Sequence, residues 1–263
     1  MTSAEKLLAA VRSGNVEQTE EALKGVSSVD LPINAKGWTA LMLACWLGNA
    51  QLTSLLIRHG ANVNAITSTG ATPLFLACEE GRNDVVVLLL DAGAKVDVAR
   101  SSDGATPLFI SAQTGRAEIV NLLITKASAD VNKARTSDNS TPLLIASWGK
   151  PQVVRVLLGA SADFNKANNQ GVTPLYIAAQ ENQLEIVKML AEHGANPGQQ
   201  CAGLGEEKAT PFWIACWKGN KTVVDALKEY CSLDQMDNAI AVAKERGFKD
   251  IADNLDQFLT GDA

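Results

Sequence analysis

Hydrophobic and polar positions along this chain follow a helical period, and the pattern itself recurs. Small and branched apolar residues return at the spacing of one helix face: Leu74 with Ala77, Leu108 with Ala112, Leu175 with Ala178 and Ala179. A glycine follows each short run, at Gly48, Gly81, Gly115 and Gly219, and predicts a break. A second apolar stretch comes next, as in Val85-Val86-Val87-Leu88-Leu89-Leu90 or Ile119-Val120-Asn121-Leu122-Leu123-Ile124. It closes at Gly60, Gly93 or Gly194, where a left-handed residue just past a helix costs glycine nothing. The segments Ala61-Asn62-Val63-Asn64, Ala94-Lys95-Val96-Asp97, Ala129-Asp130-Val131-Asn132 and Ala162-Asp163-Phe164-Asn165 then lead into a polar tip. Each unit thus reads as helix, turn, helix, tip.

The start of each first helix gives the period. Thr39-Ala40-Leu41, Thr72-Pro73-Leu74, Thr106-Pro107-Leu108, Thr141-Pro142-Leu143, Thr173-Pro174-Leu175 and Thr210-Pro211-Phe212 share one form, and their threonines are 33, 34, 35, 32 and 37 residues apart. The threonine hydroxyl suits an N-cap, where it accepts from an orphan backbone N–H. Proline suits the first helical position, where no N–H is needed. Two places depart from the rule. The turn Trp148-Gly149-Lys150-Pro151 is one residue short, which predicts a local change in stacking angle. The tip from Pro197 to Glu207 is long and rich in glycine, and reads either as a poorly ordered loop or as a binding finger.

Units with Thr-Pro-Leu starts, Gly-bounded Val/Leu-rich second helices and Gly-Ala-x-Val-Asn endings resemble the ankyrin repeat. The resemblance implies an all-α solenoid of stacked helix–turn–helix units with β-turn or hairpin tips. The family's usual histidine after Thr-Pro-Leu is replaced by Met42, Phe75, Phe109, Leu144, Tyr176 and Trp213. The ends carry degenerate units, at residues 3–24 and 237–259, as terminal repeats with one neighbour should. The chain is therefore expected to be a single ankyrin-repeat domain over 1–263: an N-terminal cap unit (1–36), six regular repeats (37–231), and a C-terminal cap unit with a short tail (232–263), about eight units in all.

Composition narrows the function. A net charge of −6 argues against nucleic acid or an anionic membrane as partner, since both call for a basic surface. No apolar run is long enough for a membrane span, and the N-terminus lacks the charged start and apolar stretch of a signal peptide. Five cysteines without metal spacing suit a reducing, cytoplasmic setting. Cys45, Cys78 and Cys216 follow core alanines and read as buried, whereas Cys201 in the long tip is expected to be exposed. His59 and His193 each precede a helix-ending glycine and suit the negative end of the macrodipole. No nucleophile–base pair, metal set, cofactor motif or phosphate loop is present, so no catalytic residue, metal or cofactor is assigned and the chain is not read as an enzyme.

In the resembled family the first helices and tips form a concave groove, and positions not committed to stacking carry specificity. Those positions give the candidate protein-binding residues Trp38, Trp46, Glu79, Glu80, Gln113, Trp148, Gln180, Glu181, Trp217 and Lys218. Tryptophan at such places reads either as an interface anchor or as a wedge between repeats. Among these and the neighbouring tip positions the charge is mostly acidic: Glu79, Glu80, Asp103, Asp138, Glu181, Glu206 and Glu207 against Lys36 and Lys218. The expected function is a monomeric adaptor, scaffold or inhibitor that binds a protein with basic and apolar contact residues. The alternatives are a regulatory subunit or effector acting on an enzyme or proteasome-type complex and, remotely, an enzyme.

Overall fold

The computed structural model describes residues 3–201 and 209–261. Among them are sixteen α-helices and no strand. They come in consecutive pairs: α1 (Ser3–Ser13) with α2 (Val16–Lys24), α3 (Ala40–Leu47) with α4 (Ala50–Arg58), α5 (Pro73–Glu80) with α6 (Asn83–Asp91), α7 (Pro107–Thr114) with α8 (Ala117–Ala127), α9 (Pro142–Ala146) with α10 (Pro151–Gly159), α11 (Pro174–Gln180) with α12 (Leu184–Glu192), α13 (Pro211–Lys218) with α14 (Lys221–Leu227), and α15 (Leu233–Glu245) with α16 (Lys249–Thr260). The pairs fall into two compact units. One ends at Ser137 and holds α1 to α8; the other begins at Asp138 and holds α9 to α16.

Every regular first helix begins as its sequence predicts. The hydroxyls of Thr39, Thr72, Thr106, Thr141, Thr173 and Thr210 accept from the backbone N–H three residues on, at 3.1–3.3 Å. Each such cap contributes about 1 kcal/mol. The donors are the N–H groups of Met42, Phe75, Phe109, Leu144, Tyr176 and Trp213, the residues that replace the family histidine. All but Trp213 have buried side chains, so apolar packing fills that place. Behind them lies the buried face of each second helix, such as Leu52, Leu55 and Leu56 in α4 or Ile119, Val120 and Leu123 in α8. Fully burying one such side chain is worth about 1.5–3 kcal/mol.

The glycines that end first helices have two reasons to be glycine. Gly48 and Gly81 have φ of 79° and 75°. A Cβ on Gly48 would also lie 2.6 Å from Arg82 Cδ, and one on Gly81 would lie 2.7 Å from the guanidinium carbon of Arg116. The arginine of the next pair therefore crosses the end of the preceding helix. Arg82 Nε donates to the Trp46 carbonyl at 3.2 Å, so a side chain from the neighbouring repeat satisfies an orphan helix carbonyl. In the second unit Asn220 Nδ2 does the same for the carbonyls of Ala179 (2.8 Å) and Gln180 (3.2 Å).

Successive tips are joined by one backbone hydrogen bond per step. The N–H of Ser68, Ser102 and Ser137 donates to the carbonyl of Lys36 (2.9 Å), Thr69 (3.3 Å) and Asp103 (3.1 Å), and in the second unit Asn169 N–H donates to Asp138 (2.9 Å). A second rung in the first unit comes from the Asn or Asp that ends each repeat. Asp30 accepts from Asn62 N–H (3.0 Å), Asn64 from Lys95 N–H (2.8 Å), and Asp97 from Asp130 N–H (3.3 Å).

Two irregular places differ from their neighbours. α9 spans five residues where the other regular first helices span seven or eight, which matches the missing residue near Trp148. The exposed thiol expected at Cys201 is not seen: Cys201 is buried. Its N–H donates to the carbonyl of Ala209 at 2.9 Å, in the way Thr67 pairs with Ala71 (3.0 Å), Arg100 with Ala105 (2.8 Å) and Asn168 with Val172 (3.0 Å). Cys201 thus belongs to the closed base of a tip, where burial pushes its thiol up to about 11. The extra residues fall between Cys201 and Ala209. Residues 202–208 of the predicted finger, with Glu206 and Glu207, lie outside the described residues.

Candidate functional site

The first unit brings Trp38 and Trp46 together. Trp38 ends a tip and Trp46 lies in the last turn of α3; their rings meet edge to face, 6.3 Å between centroids at 74°. Trp38 is half-buried by this contact, while Trp46 remains 40% exposed. One repeat later the equivalent place holds Glu79, followed by Glu80, both half-buried at the end of α5. Burial raises the Glu79 carboxyl above its ordinary range; nearby Arg100 opposes that rise and Glu80 adds to it. Gln113, in α7, is exposed.

Arg100 and Arg135 also belong to this surface, although neither is among the helix-end and tip positions predicted to bind. Arg100 lies 4.6 Å from the centre of the Phe75 ring, and Arg135 lies 4.8 Å from that of Phe109. Each arginine stands six residues before a capping threonine, and each reaches back to the aromatic ring that replaces the family histidine in the preceding repeat. Cation–π stacking thus occupies the place where hydrogen bonds through histidine would be expected. Arg100 also forms a two-pronged pair with Asp103, Nε to Oδ1 at 3.0 Å and Nη2 to Oδ2 at 2.9 Å. That bond holds the Asp103 carboxyl below its usual range. Part of the acidic charge counted from the sequence is therefore already compensated. The signal for these arginines was a basic residue at one tip place in two successive repeats.

In the second unit Trp148 follows the short α9 and is 49% exposed, and no aromatic ring stacks on it among the described residues. Gln180 and Glu181, at the end of α11, are half-buried and joined by a Gln180 Nε2 donation to Glu181 Oε1 at 2.9 Å. Trp217 differs from Trp46 although it holds the equivalent place. It is half-buried and stacks on Trp213, 6.2 Å between centroids with the rings 21° apart. Lys218 is exposed, and its ammonium lies 5.1 Å from the Trp217 ring centre. The rings therefore divide: Trp46 and Trp148 face solvent, whereas Trp217 is packed in a cluster.

The remaining reactive groups are committed to packing. Cys45, Cys78 and Cys216 are buried, and desolvation pushes their thiols up to about 12. Cys231, half-buried, is also pushed up to about 12. His59 and His193 sit at helix C-caps. The His193 ring nitrogen Nδ1 lies 2.7 Å from the Met189 carbonyl, and its ring meets Phe164 edge to face. Among the described residues no group of His, Cys, Asp and Glu is arranged to hold a metal ion, and no helix is long and apolar enough to cross a membrane.

Comparisons with known proteins agree with this architecture. The family of ankyrin repeats (3 copies) matches residues 7–100, 95–168, 138–201 and 157–239. Among curated proteins, the chain is 29% identical over 110 residues to the ankyrin repeat domain-containing protein oryK of Aspergillus oryzae, covering 42% of this chain and 16% of that protein. It is 31% identical over 109 residues to mouse Rabankyrin-5, covering 41% of this chain and 9% of that one. The matched segment is thus a small part of the curated relatives' own length. Among solved structures, the human ASB11 ankyrin repeat domain superposes with a TM-score of 0.74 at 26% identity, covering 86% of this chain and 97% of that one. The ankyrin repeat domain of Bcl-3, a member of the IkappaB protein family, gives 0.73 at 25% identity, covering 85% and 97%. Ankyrin repeat domains generally mediate contacts between proteins. With matches running from residue 7 to residue 239 and a helix pair for each repeat, this chain belongs to the ankyrin-repeat family.

Proposed function

We propose that the chain binds another protein through the ends of its first helices and its tips, as an adaptor, scaffold or inhibitor without catalysis of its own. The observation that carries this reading is the exposure of Trp46 and Trp148, at 40% and 49%, directly after the buried Cys45 and Ser147. An indole left in water at a place the fold does not need offers a large apolar area and one N–H donor to a partner. The partner supplies apolar side chains to these rings and basic groups to Glu79, Glu80 and Glu181, with Trp38, Gln113 and Gln180 as flanking contacts. The protein works as a monomer in a reducing, cytoplasmic setting, where five unpaired cysteines with strongly raised pKa values stay inert.

The test is affinity capture with the full chain and with Trp46→Ala plus Trp148→Ala, both checked for an unchanged helical spectrum. Partners retained by the parent and lost by the variant, with binding that weakens as salt rises, are the expected result. Equal retention by both proteins, or affinity indifferent to salt, rejects the reading.

A further inference from the structure

The residue that ends each first helix changes sign within the second unit. Glu181, Lys218 and Arg246 each stand immediately before a residue with positive φ: Asn182 (55°), Gly219 (78°) and Gly247 (83°). They therefore occupy one place in three successive helix pairs, whose first helices α11, α13 and α15 pack side by side. The place is acidic in α11 and basic in the next two.

Arg246 and Lys218 share one ring. The guanidinium of Arg246 lies 4.4 Å from the centre of Trp217, and the ammonium of Lys218 lies 5.1 Å from it. Both cations are exposed. Among the described residues neither side chain makes an ion pair, although other lysines of the same region do: Lys221 with Asp250 (3.2 Å), Lys228 with Asp225 (3.1 Å) and Lys244 with Asp256 (2.9 Å). Glu245, next to Arg246 in the chain, makes no ion pair with it. Asp234 lies in the first turn of α15, roughly 18 Å along the helix from Arg246. Stacking uses the face of a guanidinium and leaves its N–H groups in the plane free, already oriented for a carboxylate. Holding the arginine on a ring also removes part of the entropy cost of ordering it on binding.

We infer that Trp217, Lys218 and Arg246 form an anchor for an acidic segment of the bound protein. Asp or Glu carboxylates of that segment meet Arg246 and Lys218, and an adjoining aromatic or aliphatic side chain covers the open part of the Trp213–Trp217 stack. The inference rests on the protein-binding reading and adds polarity to it. The acidic flank of the partner lies over α13 and α15, and its basic groups lie where Glu181 and the acidic helix ends are.

A random-peptide display selection on the full chain tests this without knowledge of the partner. The parent protein should enrich Asp or Glu beside Trp, Phe or Leu. Lys218→Glu combined with Arg246→Glu should exchange that preference for Lys or Arg. The best acidic peptide, synthesised and titrated, should bind Arg246→Lys several-fold more weakly, because charge survives but the planar fork is lost. Arg246→Gln should lose about tenfold or more. Arg246→Lys and Arg246→Gln, each with a parental melting curve, keep the comparison meaningful if the double reversal disturbs folding. Absence of acidic peptides from the parent's selection, or an acidic preference unmoved by the reversal, overturns the acidic anchor and leaves the protein-binding reading standing. Failure of the parent to enrich any sequence overturns both.

Discussion

Replacing Gly104 by alanine isolates the energetic cost of the close approach between successive tips. Gly104 has φ +80°, and a Cβ added there would lie 2.5 Å from the backbone nitrogen of Thr136 and also collide with its Oγ1. A backbone atom cannot swing aside as a side-chain end can, so the two tips must part. Gly93 is the control: its φ is +83°, but an added Cβ meets nothing within 4 Å. Alanine at either site takes on left-handed strain of about 1–2 kcal/mol. The stiffer unfolded chain returns about 0.4–1 kcal/mol of that. Only Gly104→Ala adds overlap, about 1–3 kcal/mol. It also disturbs the hydrogen bond from Ser137 N–H to the Asp103 carbonyl, 3.1 Å long and worth about 1 kcal/mol. Urea denaturation should therefore show a loss near 1 kcal/mol or less for Gly93→Ala and about 2–4 kcal/mol more for Gly104→Ala. Amide exchange at Ser137 should accelerate by roughly 30-fold for each 2 kcal/mol of local destabilisation in the second variant only. Equal losses in the two variants, or unchanged exchange at Ser137, would refute the steric argument.

Other consequences follow from the same geometry. Thr106→Ala removes a buried cap that accepts at 3.1 Å from Phe109 N–H, and should cost about 1–2 kcal/mol in urea denaturation, with Thr106→Ser recovering most of it. Arg100→Met keeps the apolar stem over Phe75 but removes the pair to Asp103, and a loss of about 1–2 kcal/mol near neutral pH is expected. Because that pair depresses the Asp103 pKa, its stabilisation is complete above the ordinary aspartate value of 3.8 and disappears as pH falls below it through the lower folded value. Melting curves of the parent should therefore drop more steeply below that pH than those of Arg100→Met. Thiol titration at pH 8 with a disulfide reagent should find the folded protein nearly unreactive, Cys231 first to respond, and all five cysteines accessible in urea. Rapid labelling of Cys201 would contradict its place at the closed base of a tip.

What the sequence displayed best was what depends on neighbours along the chain. The six threonine caps and the prolines behind them are local, since donor and acceptor are three residues apart, so the helix starts followed from the pattern alone. The glycine breaks at Gly48 and Gly81 were equally visible, although their second cause, Arg82 and Arg116 crossing from the next repeat, was not. Cys201 reads as exposed when the whole stretch from Pro197 to Glu207 is taken as one irregular tip. Anchoring instead on the residue before a threonine, the acceptor that closes the tips at Trp38, Ala71, Ala105 and Val172, places Cys201 opposite Ala209 and inside.

The candidate surface was harder to read for the same physical reason. Trp46 and Trp217 hold one place in the repeat, yet one is exposed and the other is packed by Trp213 and Arg246. The difference lies in the surrounding side chains: Trp213 is four residues back in the same helix, and Arg246 comes from the following helix pair. Arg100 over Phe75 repeats the lesson, since the partners are in different repeats and either residue alone looks ordinary. A repeat period assigns each residue a place, and the side chains at neighbouring places decide whether that residue is free to bind. On the proposed function, pairwise combinations between adjacent repeats are the unit in which specificity is encoded. Transplanting Trp217 without Arg246 and Trp213 would be expected to move the ring and not the site. Glu80→Arg, which puts an arginine in the following helix pair at the place Arg246 holds relative to Trp217, then separates the two ideas: acidic-peptide binding gained at that end supports pairwise encoding, and no gain despite a folded protein counts against it.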